Sequence, residues 1–318
     1  AFDQLGFYGV LNGRAPPGYQ AGTAILDPEN ASIGLDTSES PATFNINAIV
    51  WATGNITIDG DVTLIGAITL NLLADHADAT PDNWDTTVDP EIGQITRSGD
   101  FTITGPSATL NLKAGNGIGT SNNPLQTNVD SLSAEINPSS SGDIYISQGL
   151  TPLTLTEVSS PGSTIDITTN GDLYVEGPVT IGGEGAINLT ADGEYEETEF
   201  IVFGTISYQS GPINLTVIAD GSAGLGIFGG EITSSSGEIN LNAQSIGDSE
   251  AAIWLKDGFI SSKTGNITLI AEASERAWIR VDGPISTTVG GSGDITLTAT
   301  ATGEGGDSDE YYASIEVY

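Results

Sequence analysis

Gly185-Ala-Ile187-Asn-Leu189-Thr-Ala191 is followed by Gly211-Pro-Ile213-Asn-Leu215, Gly237-Glu-Ile239-Asn-Leu241-Asn-Ala243, Gly265-Asn-Ile267-Thr-Leu269-Ile-Ala271 and Gly293-Asp-Ile295-Thr-Leu297-Thr-Ala299. The leading glycines stand 26, 26, 28 and 28 residues apart. A fixed period in this range marks a solenoid, in which one small unit stacks on the next. A second phrase keeps phase with the first: Leu173-Tyr-Val175-Glu-Gly177-Pro-Val179, Ile201-Val-Phe203-Gly204-Thr-Ile206, Ile227-Phe-Gly-Gly230-Glu-Ile232, Ile253-Trp-Leu255-Lys-Asp-Gly258-Phe-Ile260 and Ile279-Arg-Val281-Asp-Gly283-Pro-Ile285. One period therefore holds a strand, a glycine corner, a short strand, a polar turn and the Ile-x-Leu-x-Ala strand. Apolar residues alternate with Thr, Asn, Asp or Ser, which puts one set inside and the other in water. We expect the corner glycines to supply positive φ values.

The fold class expected is all-β, a parallel β-helix (β-solenoid). About 10 coils fit between residue 40 and residue 318 at this period. Its core ladders are Ile187, Ile213, Ile239, Ile267 and Ile295, and Leu189, Leu215, Leu241, Leu269 and Leu297. Burying each such side chain is worth about 1.5–3 kcal/mol. One coil alone has nothing to bury against, so stability comes from neighbours. The earlier half repeats less regularly. Ile56-Thr-Ile58-Asp-Gly60-Asp-Val62-Thr-Leu64 before Leu70-Asn-Leu72 matches Phe101-Thr-Ile103-Thr-Gly105 before Leu110-Asn-Leu112, with an insertion at about 75–98. Residues 1–30 do not fit the repeat and read as a linker, cap or exchanged strand; the β-helix is expected over 31–318. Sequons at Asn55, Asn188, Asn214 and Asn266 read as by-products of the strand pattern.

Composition bounds the biology. There are 42 acidic and 7 basic residues, a net charge of −35. Such a surface repels nucleic acid and anionic membranes, so neither is an expected partner. Zero cysteine excludes disulfide, zinc-thiolate and iron–sulfur chemistry. No run of 18 apolar residues exists, so no membrane-inserted helix is expected. Ala1 opens the chain without a signal-peptide pattern, so a mature product or a piece of a longer chain is expected.

The stretch Gly115-Asn-Gly117-Ile118-Gly119-Thr-Ser-Asn-Asn-Pro124-Leu125-Gln-Thr127-Asn-Val129-Asp-Ser-Leu132-Ser-Ala134, followed by Gly142-Asp-Ile144-Tyr-Ile146 and Leu153-Thr-Leu155, resembles a recurring phrase of filamentous-haemagglutinin-like large repetitive bacterial surface proteins. The resemblance implies a right-handed β-helix, a secreted or cell-surface setting, and adhesive or structural work.

The chemistry-bearing residues are few. Parallel β-helices include pectin-degrading enzymes, but the basic residues are only Arg14, Arg97, Lys113, Lys256, Lys263, Arg276 and Arg280. Arg276, Arg280 and Lys256 form a small basic spot that reads as charge relief. A catalytic triad would have to recruit the one histidine, His76. No enzyme is expected and no cofactor is required. Calcium is a candidate ligand of the insertion, where Asp75, Asp78, Asp82, Asp85, Asp89 and Glu91 offer hard oxygen donors. Trp254 and Trp278 occupy related strands of consecutive coils and offer a surface for a sugar, against a plain role in packing. A β-helix exposes strand edges at its ends. Phe2, Leu5, Phe7, Tyr8, Val10 and Leu11 at one end, and Ile315 and Val317 at the other, are the candidate assembly residues. The expectation is a non-enzymatic extracellular structural or adhesive protein. It would be a stalk segment of an adhesin or a filament subunit assembling end to end. Its partners would be copies of itself, covalent neighbours in a longer chain, or a glycan or cell-surface receptor. The alternative is a carbohydrate-binding or polysaccharide-cleaving β-helix.

Overall fold

The computed structural model of the chain describes residues 4–7, 9–12, 22–34, 41–75, 93–162, 164–193, 197–247, 249–287, 293–302 and 312–318. Among them every regular element is a strand and none is a helix. The strands pair in parallel, coil upon coil, as a β-solenoid of about 10 turns. The chain groups into two compact units, one of residues 1–151 and 157–163, the other of residues 152–156 and 164–318.

In the first unit three stacks of strands run from coil to coil. Leu5–Phe7, Ala31–Ile33, Ile56–Ile58 and Gln94–Arg97 form one. Val10–Asn12, Ala42–Asn45 and Val62–Leu64 form the second. Thr23–Leu26, Asn47–Ala52 and Thr69–Ala74 form the third. The longer strands Thr102–Ala114 and Leu125–Ile136 serve the last two stacks at once. The earlier half therefore repeats in register: Ile103 lies beside Val62, and Leu110 and Leu112 beside Leu70 and Leu72.

The described strands before residue 31, Leu5–Phe7, Val10–Asn12 and Thr23–Leu26, each pair in parallel with a strand of the following coil, and the Phe7 ring lies 5.0 Å from Phe44. The short Leu-Gly-Phe and Val-Leu-Asn runs carry the alternation too weakly to read from sequence. The insertion ends sooner, because Gln94–Arg97 already pairs with Ile56–Ile58. The arginine that hides this strand is buried. Its Nε donates to the Pro124 carbonyl (2.6 Å) and its Nη1 to the Gly99 carbonyl (2.6 Å).

The second unit also has three stacks. The first is Ile165–Thr169, Ile187–Gly193, Ile213–Ala219, Ile239–Ser245, Ile267–Ala273 and Ile295–Ala301. In it Ile187, Ile213, Ile239, Ile267 and Ile295 stand in one column, and Leu189, Leu215, Leu241, Leu269 and Leu297 in another. Between these columns runs a file of polar side chains. Asn240 Nδ2 donates to Asn214 Oδ1 (2.9 Å), and Asn214 Nδ2 to Asn188 Oδ1 (2.8 Å). The first unit repeats the device: Asn111 Nδ2 donates to Asn71 Oδ1 at 2.9 Å. The sequon asparagines thus have internal work. Asn55 and Asn266 accept the backbone N–H groups of Gln94 and Asp294, each at 2.9 Å.

From Gly211 onward the glycines that open the Ile-x-Leu strands act through space rather than through φ, whereas Gly185 (φ 154°) and the corner Gly229 (φ 72°) keep positive values. None of Gly211, Gly237, Gly265 and Gly293 has a positive φ. A Cβ on Gly237 would instead lie 1.7 Å from the Gly211 carbonyl oxygen, and on Gly265 2.0 Å from that of Gly237. Backbone of one coil rests directly on backbone of the previous one, so only a residue without a side chain fits.

Candidate functional site: an aromatic groove on the second unit

The second stack of this unit comprises Leu173–Val175, Thr198–Val202, Ala223–Phe228, Glu250–Lys256, Arg276–Asp282 and Tyr312–Val317. Its inward column is Phe200, Leu225, Ile253, Ile279 and Ile315. Strand alternation sends the intervening residues to the opposite face. One outward column reads Ile201, Gly226, Trp254, Arg280 and Glu316; its neighbour reads Glu199, Gly224, Ala252, Trp278 and Ser314. Trp254 thus follows a glycine and Trp278 an alanine, so the rings stand beside low ground.

The result is a shallow groove of about 170 Å³ with Gly224 and Gly226 in its floor, Trp254 and Trp278 on one side and Glu197, Glu199 and Glu250 along its rim. A second hollow of about 250 Å³ shares both tryptophans and is bordered by Arg280, Tyr312 and Glu316. The aromatic rings form a file across successive coils. Phe203 and Phe228 lie 6.3 Å apart, Phe228 and Trp254 5.2 Å, and Trp254 and Trp278 6.4 Å, the last two pairs edge to face. Both tryptophans are half-buried.

Polar groups surround this file. Lys256 Nζ is 5.6 Å and the Arg280 guanidinium 5.8 Å from the centre of the Trp254 ring. Arg280 also lies 5.1 Å from the Tyr318 ring, and Arg276 6.0 Å from that of Tyr312. Asp282 orients the pair: its Oδ2 accepts from Arg280 Nε (2.8 Å) and Trp254 Nε1 (3.4 Å). At the other end of the groove burial pushes the Glu199 carboxyl up, helped by the charges of Asp172 and Glu197. Burial, with Asp172 and Glu199, pushes the Tyr174 phenol up to about 12.

The remaining candidates are placed as follows. Asp75 is buried, and Asn137 Nδ2 donates to its Oδ2 at 3.2 Å. Asp78, Asp82, Asp85, Asp89 and Glu91 lie outside the described residues, as do Phe2 and Tyr8. Among the described residues no group of three or more His, Cys, Asp or Glu side chains is arranged to hold a metal. Leu5, Phe7 and Leu11 are half-buried and Val10 is 67% exposed. Ile315 and Val317 are 45% and 65% exposed, although their equivalents one coil earlier, Ile279 and Val281, are buried.

Sequence reasoning found the two tryptophans but not the rest of the file. Phe203, Phe228 and the floor glycines join it through strand register across coils. Writing the second phrase of each period in alignment, column by column, would have exposed that signal.

No family model, curated protein or solved structure matches the chain.

Proposed function

We propose that this chain is an extracellular adhesive β-solenoid, structural in its coils and without catalytic activity, that holds a carbohydrate along the aromatic face of its second unit. One observation carries the reading: an aromatic file crosses consecutive coils beside a hollow open at Gly224, with carboxylates and a cation among the residues that line it. The C–H faces of a sugar pack on such rings, and the rim groups satisfy its hydroxyls. A shallow, open groove suits one face of a chain better than a small molecule that must be enclosed. The phrase over residues 115–155, which resembles the repetitive bacterial surface proteins, supports the adhesive setting.

The test is a glycan array followed by calorimetry. A glycan that binds the wild-type chain should lose at least about tenfold in affinity, some 1.4 kcal/mol, with Trp254→Ala or Trp278→Ala. Gly224→Leu is the complementary variant. A Cβ there meets nothing nearer than the Thr198 carbonyl oxygen at 4.0 Å, so the fold has room while the groove is filled. Binding that survives all three variants would remove this site. A polysaccharide turnover assay on the same ligands should show no cleavage.

The exposed Ile315 and Val317 support a second element of the reading, end-to-end assembly as a filament subunit or as a stalk segment.

A further inference from the structure

We infer that the groove selects an anionic polysaccharide, one bearing carboxylates or sulfate esters along its length; the inference rests on the carbohydrate reading above. Cationic side chains gather at this file. Of the seven basic residues in a chain with 42 acidic ones, three stand around this single aromatic file. The described basic residues of the first unit do internal work. Arg97 is buried against backbone carbonyls, and Lys113 is buried with its Nζ 2.9 Å from Glu135. Lys256 and Arg276, by contrast, are exposed and lie against ring faces.

Acidic groups are interleaved with them. Glu250 pairs in register with Arg276, Asp282 with Lys256, and Glu316 with Arg280. They do not consume the cations. Asp282 meets Arg280 at Nε, one edge of the guanidinium, and 43% of that side chain stays exposed. Arg280 borders the second hollow itself, and Lys256 and Arg276 lie against Trp254 and Tyr312, two of the rings that line it. Lys256 belongs to one coil and Arg276 and Arg280 to the next, and adjacent strands are about 4.7–4.9 Å apart. In register Lys256 stands two positions along from Arg280 and six from Arg276, offsets of about 7 Å and about 20 Å, so the cations meet charges several sugar residues apart on one glycan. Glu197, Glu199 and Glu250 at the first hollow repel the same polymer and confine its charges to the Arg280 end of the file.

The test is an array in which every uronate- or sialate-bearing glycan is printed beside its carboxyl-reduced form, and every sulfated glycan beside its desulfated form. We expect the wild-type chain to prefer the charged member of a pair at least about fivefold, the size of effect that one or two solvent-exposed ion pairs produce. A preference within the carboxylate pairs, or within the sulfate pairs, says which anion the site reads. The Lys256→Gln/Arg276→Gln double variant should bring that ratio close to one, with a melting curve checked against wild type. Equal binding to charged and neutralised members would overturn the charge selection and leave the glycan site standing. Binding to no glycan would overturn both. A double variant that folds and keeps the full ratio would place the selection elsewhere.

Discussion

At the scale of single residues, position in the ladder decides what a side chain does. Asn214 sits in a triplet that reads as a glycosylation sequon, yet its amide is spent on the asparagines above and below it. Each such bond contributes about 1 kcal/mol net, and the file runs from Asn188 to Asn240, where the next coil brings Thr268 into register. Glu199 is the residue whose environment makes a pH prediction. Burial and the negative charges of Asp172 and Glu197 raise its pKa above the usual 4.5. A carboxyl raised on folding contributes stability below its unfolded pKa and loses it as pH rises through the folded value. Glu199→Gln should therefore gain in melting temperature relative to wild type as pH is taken upward from 4.5. A difference that stays constant across that interval, or runs the other way, would show that Glu199 ionises freely.

At the scale of the coil, the repeat phrase is legible because each of its letters has a packing reason. Ile and Leu stand at the inward positions of a parallel stack and are buried in the middle coils. The repeated glycine was legible as a corner but not as to its cause, since sequence does not show which backbone comes to rest on it. Ser234 and Ser262 complete the corner by accepting the backbone N–H groups of Gly237 and Gly265 at 2.8 and 2.9 Å. Gly237→Ala has no unstrained solution, because the carbonyl below it belongs to a backbone held in register on both sides. We expect a loss of about 1–3 kcal/mol in denaturant unfolding. Gly224→Ala, on the outward face of a strand, should cost far less, and an equal loss at both sites would refute the distinction. The first coil was harder to see. Its strands have three or four residues each, so neither phrase of the repeat is complete there.

At the scale of the whole molecule, charge and edge oppose each other. Each copy carries a net charge of −35, which resists association. The final strands carry Ile295, Ile315 and Val317 at 43%, 45% and 65% exposure, whereas Ile267, Ile279 and Val281 in the preceding coil are covered. On the proposed end-to-end assembly, contact should appear as salt shortens the screening length from about 30 Å at 0.01 M toward about 8 Å at 0.15 M. Sedimentation velocity should show larger species at the higher salt, and Ile315→Glu with Val317→Glu should abolish them. A wild-type chain that sediments as a monomer at both salt concentrations and high protein concentration would rule out this assembly.

The amino-acid sequence by itself determined the coil: its period, the alternation that makes it a strand ladder, and the aliphatic columns that keep it dry. These follow from local spacing, which the stacking of equivalent residues merely repeats. The tertiary structure decided everything that depends on which residues of neighbouring coils become adjacent. It paired the three strands described before residue 31 with the coil that follows, showed Gly237 and Gly265 to be spacers between backbones, and drew Phe203, Phe228, Trp254 and Trp278 into one file with Lys256 and Arg280. Register across coils is the physical reason: periods of 26 and 28 residues differ by a turn whose length no single coil reveals, and a two-residue offset determines whether a tryptophan faces a glycine or another ring.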